Sequence, residues 1–228
     1  MKRFYKAATA GEAENGWTVH LDGKPIRTPA KAAFIAPENA AKAAAAEWDA
    51  QEDVVNPGNM PITRAINSSI DRTAPEFDAV VEMVAAYGGS DLICYRADGP
   101  AELVNRQIAA WNPLIEWARD RFDAQLVTAT GVMHTPQPEA GLQNLAKAVA
   151  KYEPLALTAL YDLVALSGSL VIGLAVAEKQ MSVEDGWATS RVDETWQAEQ
   201  WGVDDEAAAL AARKKGEFAA AAHLLTLL

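Results

Sequence analysis

The stretch Asn15–Gly23, NGWTVHLDG, alternates apolar and polar side chains between two turn dipeptides. Successive side chains of a strand point to opposite sides, so Trp17, Val19 and Leu21 fall on one face and Thr18 and His20 on the other. Asn15-Gly16 precedes the alternation and Asp22-Gly23 follows it; both dipeptides suit tight turns with positive φ. The flanking RFYKAAT (3–9) and KPIRTP (24–29) then complete an antiparallel meander, with AAFIA (32–36) as a further strand. So small a sheet needs something packed on its apolar face.

The adjoining PENAAKAAAAEWDAQ (37–51) supplies it. Pro37 suits a first helical turn, the alanines favour helix, and Ala41, Ala44, Ala45 and Trp48 share one stripe. NPGNMP (56–61) then breaks the pattern and marks a domain boundary. The predicted organisation is a β-rich N-terminal domain with one packed helix over 1–58, and an α-helical domain over 59–228.

Beyond the break nearly everything has helical period. Ile62, Ala65, Ile66 and Ile70 mark a short helix, and Pro75 opens another, closed by Gly88-Gly89. DLICYRA (91–97) reads as extended, and Pro100 begins a long helix. QLVTATG (125–131) is a strand that could return from near 125–130 to the N-terminal sheet. Helices follow at about 137–152, 155–178, 183–201 and 204–226. The fold class is therefore α+β: a small antiparallel N-terminal part followed by a larger, mainly helical one.

Composition narrows the function. Half of the 228 residues are hydrophobic, which supports a packed core and argues against wholesale disorder. Twenty Lys and Arg against 31 Asp and Glu give a net charge of −11, a poor basis for binding nucleic acid or anionic membrane. Cys94 is the single cysteine, so no internal disulfide forms, which fits a reducing compartment. MKRFYKAATA at the start has no apolar segment of the signal-peptide kind. The longest apolar run, LVALSGSLVIGLAVA (163–177), is shorter than the roughly 20 residues of a membrane span, and reads as a buried core helix. No stable membrane insertion is expected.

The sequence contains no G-x-x-x-x-G-K-[ST] loop, no G-x-G-x-x-G turn between strand and helix, and no G-x-S-x-G nucleophile elbow. His20, His134 and His223 are far apart, with no Cys or His at ligand spacing. Cys94 sits between apolar neighbours as a small core residue. Neither a metal nor an organic cofactor is expected.

The charge is concentrated late in the chain. Between Glu178 and Glu206 nine acids face only Lys179 and Arg191, and the same window holds three of the seven tryptophans. At its centre lies SRVDETWQAEQWG (190–202). Ser182 with Asp185 makes a capping-box-like start, and Gly202 makes a stop. On one helix at about 100° per residue, Ala188, Val192, Thr195, Trp196 and Glu199 share a face, and Trp187, Glu194 and Trp201 lie nearly opposite. Two apolar stripes suggest a helix that packs inward on one side and meets a partner on the other, or one that is sandwiched. Glu199 would need a donor if buried, and Arg191 lies on another face of the same helix. Three readings compete: a binding surface, a packed helix with charged edges, and a small hydrolase-like acid/base enzyme using these carboxylates. Nothing else in the chain supplies the base, nucleophile or anion clamp that the last would need.

The chain resembles the ATP12 family of chaperones. The resemblance rests on RFYK (3–6), VHLDGKPIRTP (19–29), EWDAQ (47–51), MPITRAINSSID (60–71), DLICYRADGPAELVNRQIAAWNPLIEWA (91–118), GVMHTPQP (131–138), SGSLVIGLAVAE (167–178) and SRVDETWQAEQWG (190–202). It implies a small β-containing domain before a larger helical one. It also implies a protein that assists assembly of the F1 sector of ATP synthase, binding the F1 α subunit until that subunit pairs with β, without catalysis or nucleotide. The eukaryotic family works in the mitochondrial matrix; this chain starts at the family's first block without an Arg-rich presequence, and a bacterial, cytoplasmic member is expected. The family's important acidic position aligns with Asp193, often Glu elsewhere, and leaves the role to Asp193 or Glu194. The expected partner-binding residues are Asp193, Glu194, Trp196, Glu199 and Trp201: aromatics for desolvated contact area, acids for orientation and on-rate.

Overall fold

In the computed structural model, which describes residues 2–228, NGWTVHLDG supplies the central strand of a three-stranded antiparallel sheet. β1 (Ala8–Ala13) pairs with β2 (Gly16–Leu21), Ala8 lying opposite Leu21, and β2 pairs with β3 (Lys24–Pro25). Asp22 and Gly23 both adopt positive φ, 48° and 80°, as a two-residue hairpin turn with right-handed twist requires. Val19 and Leu21 are buried as expected, but Thr18 on the opposite face is buried as well.

The meander differs from expectation at its ends. Residues 3–6 stay out of the sheet because the Arg3 guanidinium draws them elsewhere, donating to the carbonyls of Tyr5, Lys6, Asp49 and Gln51. AAFIA contributes only isolated bridges, Ala33 to Arg27 and Ala36 to Trp17.

α1 (Glu38–Asp49) lays Ala40, Ala41, Ala44 and Ala45, all buried, into the core that also holds Val19, Leu21 and Phe34. Trp48 is half-buried at the edge of that core; its ring meets Tyr5 edge-on at 5.7 Å, and its carbonyl accepts from the Tyr5 hydroxyl at 2.6 Å. Glu47 on α1 caps α2 (Pro61–Ser68), accepting from Ile62 N at 2.7 Å and Thr63 N at 2.8 Å. Orphan N–H groups at a helix start favour such a carboxylate. Ile62 and Ile66 of α2 join the same core, so this compact unit runs past residue 58 to Phe77 and includes Glu153–Ala159 and His223–Leu228. The NPGNMP breaker lies inside it, with Pro57–Asn59 as one turn of 3-10 helix.

The second unit, Asp78–Tyr152 with Leu160–Ala222, is mainly helical. It draws on α3 (Phe77–Ala86), β4 (Tyr95–Arg96), α4 (Ala101–Phe122), β5 (Ala129–Thr130) and α5 (Glu139–Val149). It then takes most of α6 (Pro154–Ser167), all of α7 (Leu170–Ala177), α8 (Val183–Thr189) and α9 (Val192–Trp201), and most of α10 (Asp205–Thr226). The strand expected near 125–130 does not return to the N-terminal sheet. It shortens to β5 and pairs in parallel with β4, Tyr95 opposite Ala129.

The apolar run is two helices, not one. Ser167 turns its hydroxyl back to Leu163 O at 2.7 Å, Gly168 takes φ 73°, and Ser169 Oγ caps α7 by accepting from Ile172 N at 3.0 Å. Leu170–Val176 are all buried. Asp91, fully buried, accepts from Val171 N at 3.1 Å and Ile93 N at 3.2 Å, with the Ser169 hydroxyl and Leu170 N also bonded to it. Desolvation pushes this carboxyl up to about 6 against those bonds. Gly186 of α8 is glycine for a steric reason: a Cβ there would stand 2.5 Å from Val176 Cγ2.

Candidate functional site

The acidic aromatic stretch forms two helices. Ser182 Oγ accepts from Asp185 N at 3.0 Å and starts α8, as the capping pattern predicts. Ser190 ends it, its hydroxyl donating to Trp187 O at 2.7 Å. Arg191 leaves helical geometry at φ −119°, ψ 20°, and α9 begins anew with Asp193 and Glu194 in its first turn, where the N-terminal end favours carboxylates. Gly202, φ 89°, stops it. The break invalidates a single helical wheel over 183–201, so Trp187 is buried near Phe218 and does not share an outer face with Trp201.

α9 packs on α4, and α4 carries the donors that the sequence reading lacked. Trp196 is buried under the Arg106 guanidinium, 4.8 Å from its ring centre, and the same guanidinium meets the Glu199 carboxylate at 2.7 Å. Glu199 is half exposed. Arg191, expected to lie on another face from Glu199, pairs instead with Glu194 at 2.6 Å from the turn before α9, and stacks over Trp187. Glu194 is exposed, and Trp201 is 80% exposed.

Asp193 is held differently. Its Oδ1 accepts from Gln107 Nε2 at 2.7 Å; Gln107 is 1% exposed, and its Oε1 accepts from Ala97 N at 2.8 Å. Beside Ala97, the buried Arg96 donates to Ile93 O and to Asn112 Oδ1, and lies 4.9 Å from the Trp111 ring centre. Trp111 in turn donates to Thr189 O at 2.9 Å, the last residue of α8. Desolvation lowers the Arg96 pKa, opposed by the neighbouring Cys94 and by the Asp193 carboxylate. A buried guanidinium needs this much compensation.

The structure therefore gathers Asp193, Trp196 and Glu199 against α4 and leaves Glu194 and Trp201 at the outer edge. Arg96, Arg106 and Gln107 were not singled out in the sequence. They lie in YRADGPAELVNRQ, where Arg106-Gln107 falls in the second turn of α4 and the acids they meet, Glu199 and Asp193, are far away along the chain. Cys94 is buried, and burial pushes its thiol up to about 12, the state of an inert core residue. Among the described residues, no group of three or more His, Cys, Asp or Glu is placed to hold a metal ion. No helix among them is long and apolar enough to cross a membrane.

A family profile described as ATP12 chaperone protein matches residues 2–119. Among solved structures, the crystal structure of Atp12 from Paracoccus denitrificans is 43% identical with a TM-score of 0.94, covering 99% of this chain and 97% of that one; a single-residue mutant of the same protein matches equally well. A crystal structure of an Agrobacterium tumefaciens protein gives 42% identity and a TM-score of 0.95, over 99% of this chain and 85% of that one.

Proposed function

The chain belongs to the ATP12 chaperone family, and on that premise we propose that it binds the unassembled F1 α subunit of ATP synthase and shields that subunit's interface until it pairs with β. The contact surface in this reading is the outer side of α9: the Asp193 and Glu194 carboxylates, the Glu199 carboxylate with its Arg106, and the indole of Trp201. Trp196 serves beneath them as the anchor that fixes the helix. The observation that carries the reading is Trp201, a large indole 80% exposed at the end of a helix whose other tryptophan is buried. An exposed aromatic rimmed by acids suits transient cover of an apolar, basic-edged subunit surface.

Binding without catalysis is part of the proposal. Each α9 acid meets a separate donor: Gln107 for Asp193, Arg191 for Glu194, Arg106 for Glu199. Acid/base hydrolysis wants two carboxyls with contrasting environments facing one bond, whereas here each carboxylate is oriented by a donor of its own. The relatives come from Paracoccus and Agrobacterium, and action in a bacterial cytoplasm, without nucleotide or metal, completes the reading.

The test is an aggregation assay on isolated F1 α subunit. Suppression at near-equimolar ratio, undiminished by omission of ATP or ADP, is the expected result. Failure to suppress aggregation, or to co-elute with the α subunit, would overturn the proposal.

A further inference from the structure

A second surface of the helical unit has the build of a contact element. Between Asp123 and Glu139 the chain carries no Asp, Glu, Lys or Arg, although 22% of all residues are charged. The structure folds this uncharged stretch into a loop closed at its neck. The buried Gln137 side chain accepts from Val127 N at 2.8 Å and donates to Val127 O at 2.9 Å, tying the two ends together like one rung of a ladder. Above the neck, β5 pairs with β4, Gly131 donates to Arg96 O at 2.8 Å, and His134 Nδ1 lies 3.3 Å from the Tyr95 hydroxyl. The chain at the tip, between these last two anchors, is Val132-Met133, exposed by 96% and 79%.

A loop tied at its neck and flanks that still holds two apolar side chains in water is unfavourable for the isolated protein. It is favourable for one that binds, because ordering has been completed before the partner arrives. Methionine adapts to an irregular recess. The lack of charge across the loop, in a protein of net charge −11, matches an apolar recess and not a basic or nucleic-acid surface. The loop also shares its support with the α9 site: Arg96 O holds Gly131, and the next residue, Ala97, holds the Gln107 that grips Asp193.

We propose that the Val127–Gln137 loop is a preformed docking finger whose Val132 and Met133 side chains enter an apolar recess of the same client that engages α9. This rests on the client reading above, and the experiment separates the two. Cys94 is buried, so Met133→Cys gives a single labelling site for a nitroxide. Titration with isolated F1 α subunit, with complex formation followed independently by co-elution, should immobilise the label. The unlabelled double variant Val132→Ser/Met133→Ser should keep the wild-type Tm and lose affinity by about tenfold or more. Co-elution with a label that stays mobile, or a double variant that binds as wild type, would overturn the finger alone. Absence of any complex with the wild-type protein would overturn the client reading and the finger with it. Immobilisation by phosphatidylcholine vesicles, or by self-association without α subunit, would assign the tip to a different occupant and overturn the proposal.

Discussion

Asp91 and Asp193 lie in the same helical unit, and both accept hydrogen bonds from their surroundings, but the two environments differ in kind. Asp91 has no exposed surface, and its oxygens are taken up by the start of α7 and by the turn after it. Asp193 is half-buried and has only Oδ1 engaged, by Gln107, among the described residues. A saturated carboxylate is part of the scaffold. One that is oriented by a buried donor and still faces water is available for something else.

Substitutions should separate the two classes, and the largest loss of stability belongs to Asp91. Asp91→Ala strands several buried donors at the start of α7 and should cost about 3 kcal/mol in chemical denaturation. The pH dependence has a definite sign. Burial raises this carboxyl to about 6 from 3.8, so the folded chain takes up the proton before the unfolded chain does. The group's contribution is complete below pH 3.8 and is lost as pH rises through 6. Wild-type stability minus that of Asp91→Asn should therefore increase as pH falls from 7 to 5. A decrease would show that the carboxyl titrates below its ordinary range.

Trp196 comes next. It is buried beneath Arg106 on the inner side of α9, so Trp196→Ala should cost about 3 kcal/mol and release both Arg106 and Glu199. Thermal melting would check it; an unchanged Tm would mean that α9 is held by Asp193 and Gln107 alone. Glu199→Gln and Glu194→Gln break ion pairs with half-exposed partners and should each cost under about 1 kcal/mol. Trp201→Ala should stay within about 0.5 kcal/mol of wild type while weakening α-subunit binding about tenfold. The reverse pattern would make Trp201 structural and place the client elsewhere.

How legible all this was depends on the range of the interaction. The β2 alternation, the Asp22-Gly23 turn and the alanine stripe of α1 are local patterns, and each reads directly from neighbouring residues. The two helix breaks were also written locally, as SGS at 167–169 and TSR at 189–191, but long apolar and amphipathic periodicities on either side outweighed them. Small hydroxyl residues can turn back onto the preceding carbonyls and cap the next helix, so these clusters deserved the greater weight. The acids of α9 were visible, and their donors were not. Gln107 meets Asp193 across 86 residues of sequence, and no periodicity carries that pairing. The N-terminal Arg3 was similarly unreadable, since its carbonyl partners on Asp49 and Gln51 are set by the fold.

Asp193→Asn is the most direct trial of the central claim. The amide keeps the shape and still offers Oδ1 to Gln107, so the substitution removes charge and little else. Paired measurements of Tm and of protection of isolated F1 α subunit from aggregation should show melting within about a degree of wild type, as for a change outside the core, together with a clear loss of protection. A variant that protects as well as wild type, or one that loses several degrees of stability while its folded fraction still protects, would place Asp193 with Asp91 in the scaffold and contradict the account.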